Sequence, residues 1–347
     1  MVENLNYNAD RLHKVTRADI EALEQAMFDY IAARPSQLYS MIAFQMGWRD
    51  KLGRLETSQL PKRFIGQAAI ASGRCANNAA PTLIGKAAVV ELLCNFLMVH
   101  GDVQSGNAER NNRATLWWEF GPAHAINAGD ALAALARLML INVLQDADSP
   151  LAGDLHIFDN QTLTVCKGAY DEIEYQEKIL VSTDDYFKML RQSRGGLLAC
   201  AFALGVSNGD LNSKATRQAM ECGEILGVAQ AIKLDIDTLW GRADARMRGR
   251  LATKHKLLPV VYVLNCDDIS AKRKMSEIYA QRVINQDKFA DIAQIAADCG
   301  AREFCDAQLR LHIDLARAAL EDWDLDSAAR ADMNKLANEI VEDQWPI

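Results

Sequence analysis

Apolar residues recur at three- and four-residue spacing along most of this chain, the signature of helices that bury one face. The pattern predicts helices at roughly 62–73, 82–100, 122–146, 184–206, 214–240, 258–265, 270–284, 288–298, 301–321 and 327–343. Thr16-Arg17-Ala18-Asp19 opens an earlier helix with a capping pattern, an acidic residue three positions after a threonine. Turn-rich pieces such as Asp148-Ser149-Pro150, Val206-Ser207-Asn208-Gly209-Asp210 and Asp322-Trp323-Asp324 mark breaks. Only 153–166 reads differently. There Leu155-His156-Ile157-Phe158 and Thr162-Leu163-Thr164-Val165 flank Asp159-Asn160 as a short hairpin would, which predicts an irregular insertion.

Segments 82–100 and 122–146 are apolar nearly all round, so they belong inside a bundle rather than on its surface. No low-complexity linker or repeat period divides the chain, and one all-α domain over 1–347 is the economical reading. Large bundles of this kind enclose ligand cavities between facing helices.

Composition narrows the function classes. A net charge of −8 argues against general affinity for nucleic acid or an anionic membrane surface. No uninterrupted apolar run approaches the ~18 residues of a membrane span, and the polar N-terminus lacks a signal segment. The eight cysteines (Cys75, Cys94, Cys166, Cys200, Cys222, Cys266, Cys299, Cys305) include no CxxC pair and read as buried free thiols of a cytoplasmic protein.

The richest stretch is Val90-Glu91-Leu92-Leu93-Cys94-Asn95-Phe96-Leu97-Met98-Val99-His100-Gly101-Asp102-Val103, followed by Phe120-Gly121 and Ala128-Gly129-Asp130-Ala131-Leu132-Ala133. Further blocks follow in order: Gly168-Ala169-Tyr170-Asp171-Glu172, Tyr186-Phe187-Lys188-Met189-Leu190, Leu226 to Thr238, and Leu258-Pro259-Val260-Val261-Tyr262. Together they resemble the trans-isoprenyl diphosphate synthases, the polyprenyl synthetase family. That resemblance implies an isoprenoid-synthase-type helical bundle around a central apolar cavity, a small apolar or prenyl substrate and a homodimer.

It also implies metal chemistry whose ligands are depleted here. Such enzymes chelate three magnesium ions between two aspartate-rich motifs and a diphosphate, whose departure needs that positive charge. The first motif keeps Asp102, with Gly101 and Ser105 at its outer positions; the second keeps Asp235, between Leu234 and Thr238. Asp237 adds a carboxylate, but two helix positions are ~200° of rotation, so it does not share a face with Asp235. Asp102 and Asp235 are what remains to hold magnesium, and no other cofactor is expected.

The cations that bind phosphate in the family are thinned as well. Glu56-Thr57-Ser58-Gln59-Leu60-Pro61 stands where the family has "GKRLRP", with Lys62 and Arg63 just beyond it. Arg110-Asn111 replaces a double arginine, Ser193-Arg194 a Lys-Thr pair, and Asp343 a terminal arginine. Ordinary chain elongation is therefore not expected.

Candidate catalytic residues are Asp102, Asp235, Asp237, Arg110 and Arg194, with Asp171, Glu174 and Arg242 as further charges at the mouth. Candidate substrate contacts are Gln104, Ser105, Tyr170, Glu172, Gln230 and Lys233, any of which equally suits a solvated helix end. His100 reads either as a ligand contact or as a structural hydrogen-bonding histidine. Phe96 reads either as a plain core residue or as the cavity floor, which in this family limits chains to about the ten-to-fifteen-carbon class. Trp117-Trp118 and Gly195-Gly196 either shape the cavity or pack helices.

Three functional readings follow. The first is a terpene-synthase-like cyclase or transferase, which needs no second diphosphate site. The second is a catalytically silent homologue serving as a binding module, or as regulatory partner of an active prenyl synthase. The third is an enzyme of non-diphosphate chemistry in the same cavity. Intact cavity helices lean the sequence towards the first.

Overall fold

Thr16 makes the capping box expected of it, its hydroxyl accepting from the Asp19 N–H while the Asp19 carboxylate accepts from the Thr16 N–H. It starts α1 (Arg17–Ala32) of a computed structural model that describes residues 11–56, 60–78, 82–110, 112–147, 151–241 and 245–342. There follow α2 (Gln37–Gln45), α3 (Phe64–Cys75) and α4 (Leu83–Ser105). A two-residue antiparallel ribbon, β1 (Glu109–Arg110) and β2 (Arg113–Ala114), then leads to α5 (Leu116–Phe120), α6 (Pro122–Asp146) and α7 (Leu151–Glu177). Next come α8 (Thr183–Leu190), a π-helical turn (Arg191–Gly195), α9 (Gly196–Val206) and α10 (Lys214–Trp240). The C-terminal part holds α11 (Ala245–Ala252), α12 (Leu258–Asn265), α13 (Ile269–Tyr279), α14 (Phe289–Asp298), α15 (Ala301–Asp322) and α16 (Ser327–Glu342).

The all-α class stands, and the predicted spans 122–146, 214–240 and 258–265 coincide with α6, α10 and α12. Helix α4 is the axis, packed against α3, α6 and α9, and nearly every side chain from Leu83 to Phe96 is buried. Gly106, with φ +65°, ends it in the left-handed conformation that suits glycine. Helix α9 is buried along its whole length between α3, α7 and α10. A second apolar cluster, built around Leu257, Val260, Met275 and Ile292, joins α12, α13 and α14.

One expectation fails and another is met only in part. The hairpin at 153–166 is the start of α7, a continuous helix of 27 residues. Ile157, Phe158 and Val165 are buried at helical spacing, and Asp154 meets Lys86 of α4 at 2.6 Å in the interior. The threonines that suggested strand are accommodated by bonding back one turn, Thr162 to the Phe158 carbonyl and Thr164 to the Asn160 carbonyl, each at 2.8 Å. The two segments expected inside the bundle, α4 and α6, are long and apolar enough by mean composition to cross a membrane, and they are buried to different degrees. The most apolar window of α4 is 78% buried as the core helix, and that of α6 is 39% buried.

Candidate functional site

Helices α4, α7, α8 and α10, the π turn and α11 line a cavity that is partly open to solvent. Its apolar wall is Leu97, Met98, Val165, Ala169, Ile173, Met189, Leu190, Leu197 and Ala231. Its polar wall is Gln104, Ser105, Asn107, Arg110, Glu172, Gln176, Ser193, Arg194, Asp235, Arg250 and His255. A smaller cavity adjoins it, lined by Lys62, Arg63, Glu91, Asn95, Asp102, Arg110 and Arg113, so Arg110 faces both.

The ribbon after α4 turns the chain back and brings Arg110 onto Asp102. The guanidinium donates from Nε to both carboxylate oxygens (3.2 and 3.1 Å) and from Nη2 to one (2.7 Å). Asn107 donates to the same carboxylate at 3.3 Å. Asp102 is buried, so this arginine supplies the countercharge that water cannot.

Asp235 is treated alike by different residues. One oxygen accepts a short bond from the Tyr186 hydroxyl and one from the Leu258 N–H at 2.8 Å; the other lies 3.5 Å from Arg250 Nη1. Burial raises the Asp235 carboxyl above its ordinary value, against the pull of Arg250. Arg250 also donates to Glu172 at 3.0 Å, tying α11 to α7 and α10. Burial works to raise Glu172, but Arg250, His255 and Arg194 hold it down at about 2.

Arg194 reaches the cavity from the π turn, a distortion that commonly marks functional positions. Neighbouring helices leave that turn no slack. A Cβ on Gly168 of α7 would lie 2.5 Å from the Ser193 nitrogen, and one on Gly227 of α10 would lie 2.5 Å from the Arg194 carbonyl oxygen. Burial, and then the adjacent Arg250, lower the Arg194 guanidinium to about 10.

Of the residues expected here, Asp235, Arg110, Arg194, Gln104, Ser105 and Glu172 line the large cavity. Asp102 turns into the smaller one. The others lie elsewhere. Phe96 packs edge-to-face on His100, centroids 4.8 Å apart, and the cavity wall is Leu97 instead. His100 bonds the Ile126 carbonyl at 3.2 Å and presses on Gly129 of α6. Lys233 and Asp237 pair with each other one turn apart at 2.6 Å. Tyr170 is exposed, with Lys167 over its ring, and Asp171 pairs with Lys167. Gln230 is buried within α10, Glu174 is exposed, and Trp117 anchors the ribbon by donating to the Asn107 carbonyl at 2.6 Å. Arg242, Asn111 and Asp343 fall outside the described residues.

Arg250, His255 and Tyr186 reach the site without any local sequence signal that marks them for it. No local spacing links Arg250 to Asp235, because it returns on a different helix. Lys62 and Arg63 both line the smaller cavity. Arg63 is buried against Glu24 at 2.6 Å, and Glu24 also accepts from Trp48.

Magnesium prefers an octahedral shell of carboxylate and water oxygens. The donor set does not fit it. Both oxygens of Asp102 receive Arg110, and Asp235 is divided among Tyr186, Leu258 and Arg250. Among the described residues no group of three or more His, Cys, Asp or Glu side chains is placed to hold a metal ion.

Comparison with known proteins agrees with the fold. The chain is 31% identical over 240 residues to a geranylgeranyl diphosphate synthase of Mycobacterium tuberculosis, covering 66% of this chain and 65% of that one. It is 24% identical over 315 residues to a (2E,6E)-farnesyl diphosphate synthase of the same organism, covering 88% and 86%. The crystal structure of a polyprenyl synthetase from Streptomyces coelicolor superposes with a TM-score of 0.82 at 25% identity, over 93% of this chain and 98% of that one. Residues 57–296 match the polyprenyl synthetase family, and the chain belongs to it.

Proposed function

We propose that this chain is a non-elongating member of its family, binding a prenyl ligand in the large cavity without ionising a diphosphate. The observation that carries the reading is that Arg110 binds Asp102 while Tyr186, the Leu258 N–H and the nearby Arg250 occupy Asp235. In an allylic diphosphate the C–O bond breaks only if charge on the leaving oxygens is neutralised. Here the arginines that would do this are already engaged with carboxylates, and the buried carboxylates repel an incoming anion. The same shortage weighs against a cyclase, which must also expel diphosphate, so the silent binding module is preferred to the terpene-synthase-like reading. What remains suited to a prenyl chain is the apolar wall from Leu97 to Leu197.

The smaller cavity supports the same reading. Arg63 is committed to Glu24, Arg113 lies 3.7 Å from Glu56, and Glu91 places a further carboxyl among them. Assembly as a homodimer in the cytoplasm completes the proposal. Its contact would use the exposed apolar side chains Ile126 and Leu138 of α6 and Leu163 of α7.

The test is incubation of the purified protein with geranyl or farnesyl diphosphate, isopentenyl diphosphate and magnesium, with product analysis and thermal-shift binding in parallel. Binding of prenyl compounds without elongated or cyclised product is the expected result. Product formation abolished by Asp102→Ala or Asp235→Ala would return the chain to the catalytic members of the family. Co-purification with an active prenyl synthase, in place of self-association, would replace the homodimer by a regulatory complex.

A further inference from the structure

Cys266 and Cys299 depart from the buried thiols expected of this chain. Of the other six cysteines, five are buried, and all six are spread over α3, α4, α7, α9, α10 and α15. Cys266 and Cys299 are each partly exposed, and their thiols lie within hydrogen-bonding distance of one another. Cys266 directly follows α12 and Cys299 directly follows α14, two helices that pack together. The Cys266 thiol donates back to the Val263 carbonyl at 3.1 Å, which leaves its sulfur free to accept from Cys299.

Both thiols stand where the chain leaves a helix. Cys266 is in extended backbone, and Cys299 precedes Gly300, whose φ of +78° turns the chain into α15. Such ends can make the small shift from thiol contact to a covalent bond, which a helix interior would resist. Residues 267–270 and 297–298 beside the pair are exposed, so a small oxidant has access to it.

We infer that Cys266 and Cys299 are a redox-sensitive pair, joined by peroxide into an intramolecular disulfide that staples α12 to α14. The Cys266 sulfur attacks one peroxide oxygen, the O–O bond breaks, and a sulfenic acid and water result. The Cys299 sulfur then attacks the sulfenic sulfur, so that the S–S bond forms, the S–O bond breaks and a second water leaves with the thiol proton. Two thiols are oxidised and one peroxide is reduced. Burial, and then Cys266, push the Cys299 thiol up to about 11, which suits it to the second step rather than the first.

The bridge would reach the cavity through α12. That helix begins at Leu258, whose N–H holds Asp235 at 2.8 Å, and ends beside Cys266. Leu257 and Val260 pack with Met275 and Ile292, while Trp240 of α10 donates to the Ala293 carbonyl of α14 at 3.3 Å. Joining the far end of α12 to α14 restrains local opening of the unit that holds Asp235.

The test treats the full-length protein with a small excess of hydrogen peroxide, alkylates the remaining thiols and maps the peptides by mass, before and after dithiothreitol. Expected are a Cys266–Cys299 link within one chain, six alkylated cysteines in place of eight, and a rise in Tm of about 5 °C that dithiothreitol reverses. Cys266→Ser and Cys299→Ser should each keep the reduced protein's Tm and abolish the rise. Continued alkylation of both cysteines, sulfinic acid at either in place of the link, links between chains, or a link without a change in Tm would overturn the inference. Should a variant fail to fold, the peptide map and Tm of the wild-type protein decide the matter.

Discussion

Asp102 and Arg110 stand eight residues apart across the end of α4, with the guanidinium lying side-on to the carboxylate at 2.7 to 3.2 Å. The pairing makes that corner self-neutral. Across the cavity Arg250 approaches Asp235 at 3.5 Å, from a helix the motif does not include, while Tyr186 and the Leu258 N–H bond its other oxygen.

Removing one member of such a pair should be worse than removing both. Arg110→Met strands a buried carboxylate and is expected to cost about 3–5 kcal/mol in urea unfolding. The Arg110→Met/Asp102→Asn double variant should recover most of that loss. A double variant as unstable as the single one would mean that the pair is incidental and that Arg110 acts by packing.

Glu91 makes stability fall as pH rises. Burial lifts its carboxyl to about 7 against the pull of Arg63, from an ordinary value of 4.5. A carboxyl raised on folding holds its proton more tightly in the folded state. Its contribution is therefore most favourable below pH 4.5 and declines as pH climbs through 7. The decline is on the order of 3 kcal/mol. Glu91→Gln keeps an acceptor for the Gly66 N–H, which the glutamate meets at 2.9 Å, and should flatten that part of the curve. Unfolding free energies at about pH 5 and pH 8 check it, and parallel curves for both proteins would reject the assignment.

Magnesium should leave the protein unmoved. With Asp102 and Asp235 held by arginines, millimolar magnesium is expected to produce no rise in Tm. A saturable, dose-dependent rise would show that the ion displaces a guanidinium, contrary to the closed geometry.

Gly168 should be intolerant of even one methyl group. A Cβ there meets the backbone of Gln192 and Ser193 at 2.8 and 2.5 Å, and backbone cannot swing aside as a side chain can. Gly168→Ala is expected to lose about 1–3 kcal/mol and to displace Arg194, weakening an anionic ligand more than a neutral one. Equal loss for both ligands would point to general destabilisation instead.

Much of the fold was legible because helix formation is local. The spacing of apolar residues in 122–146, 214–240 and 258–265 fixes those helices without reference to the rest of the chain. At 153–166 the local signal misled. Strand-favouring threonines there bond back to their own helix, and Asp154 is neutralised by Lys86, which lies 68 residues earlier. Phe96 shows the same limit at the site. One helix position, about 100° of rotation, separates it from Leu97, and only the docking of α6 decides which of them faces the cavity.

The sequence alone thus determined the helical bundle and the family it belongs to, and it sets glycine and serine at 101 and 105 on either side of Asp102. Tertiary structure decided what became of the two aspartates that remain. Arg110 returns across a ribbon and Arg250 from a separate helix, and neither meeting is encoded by a helical period. Charge pairing in an interior depends on which side chains packing brings within about 4 Å, because only there does the low dielectric make one partner indispensable to the other.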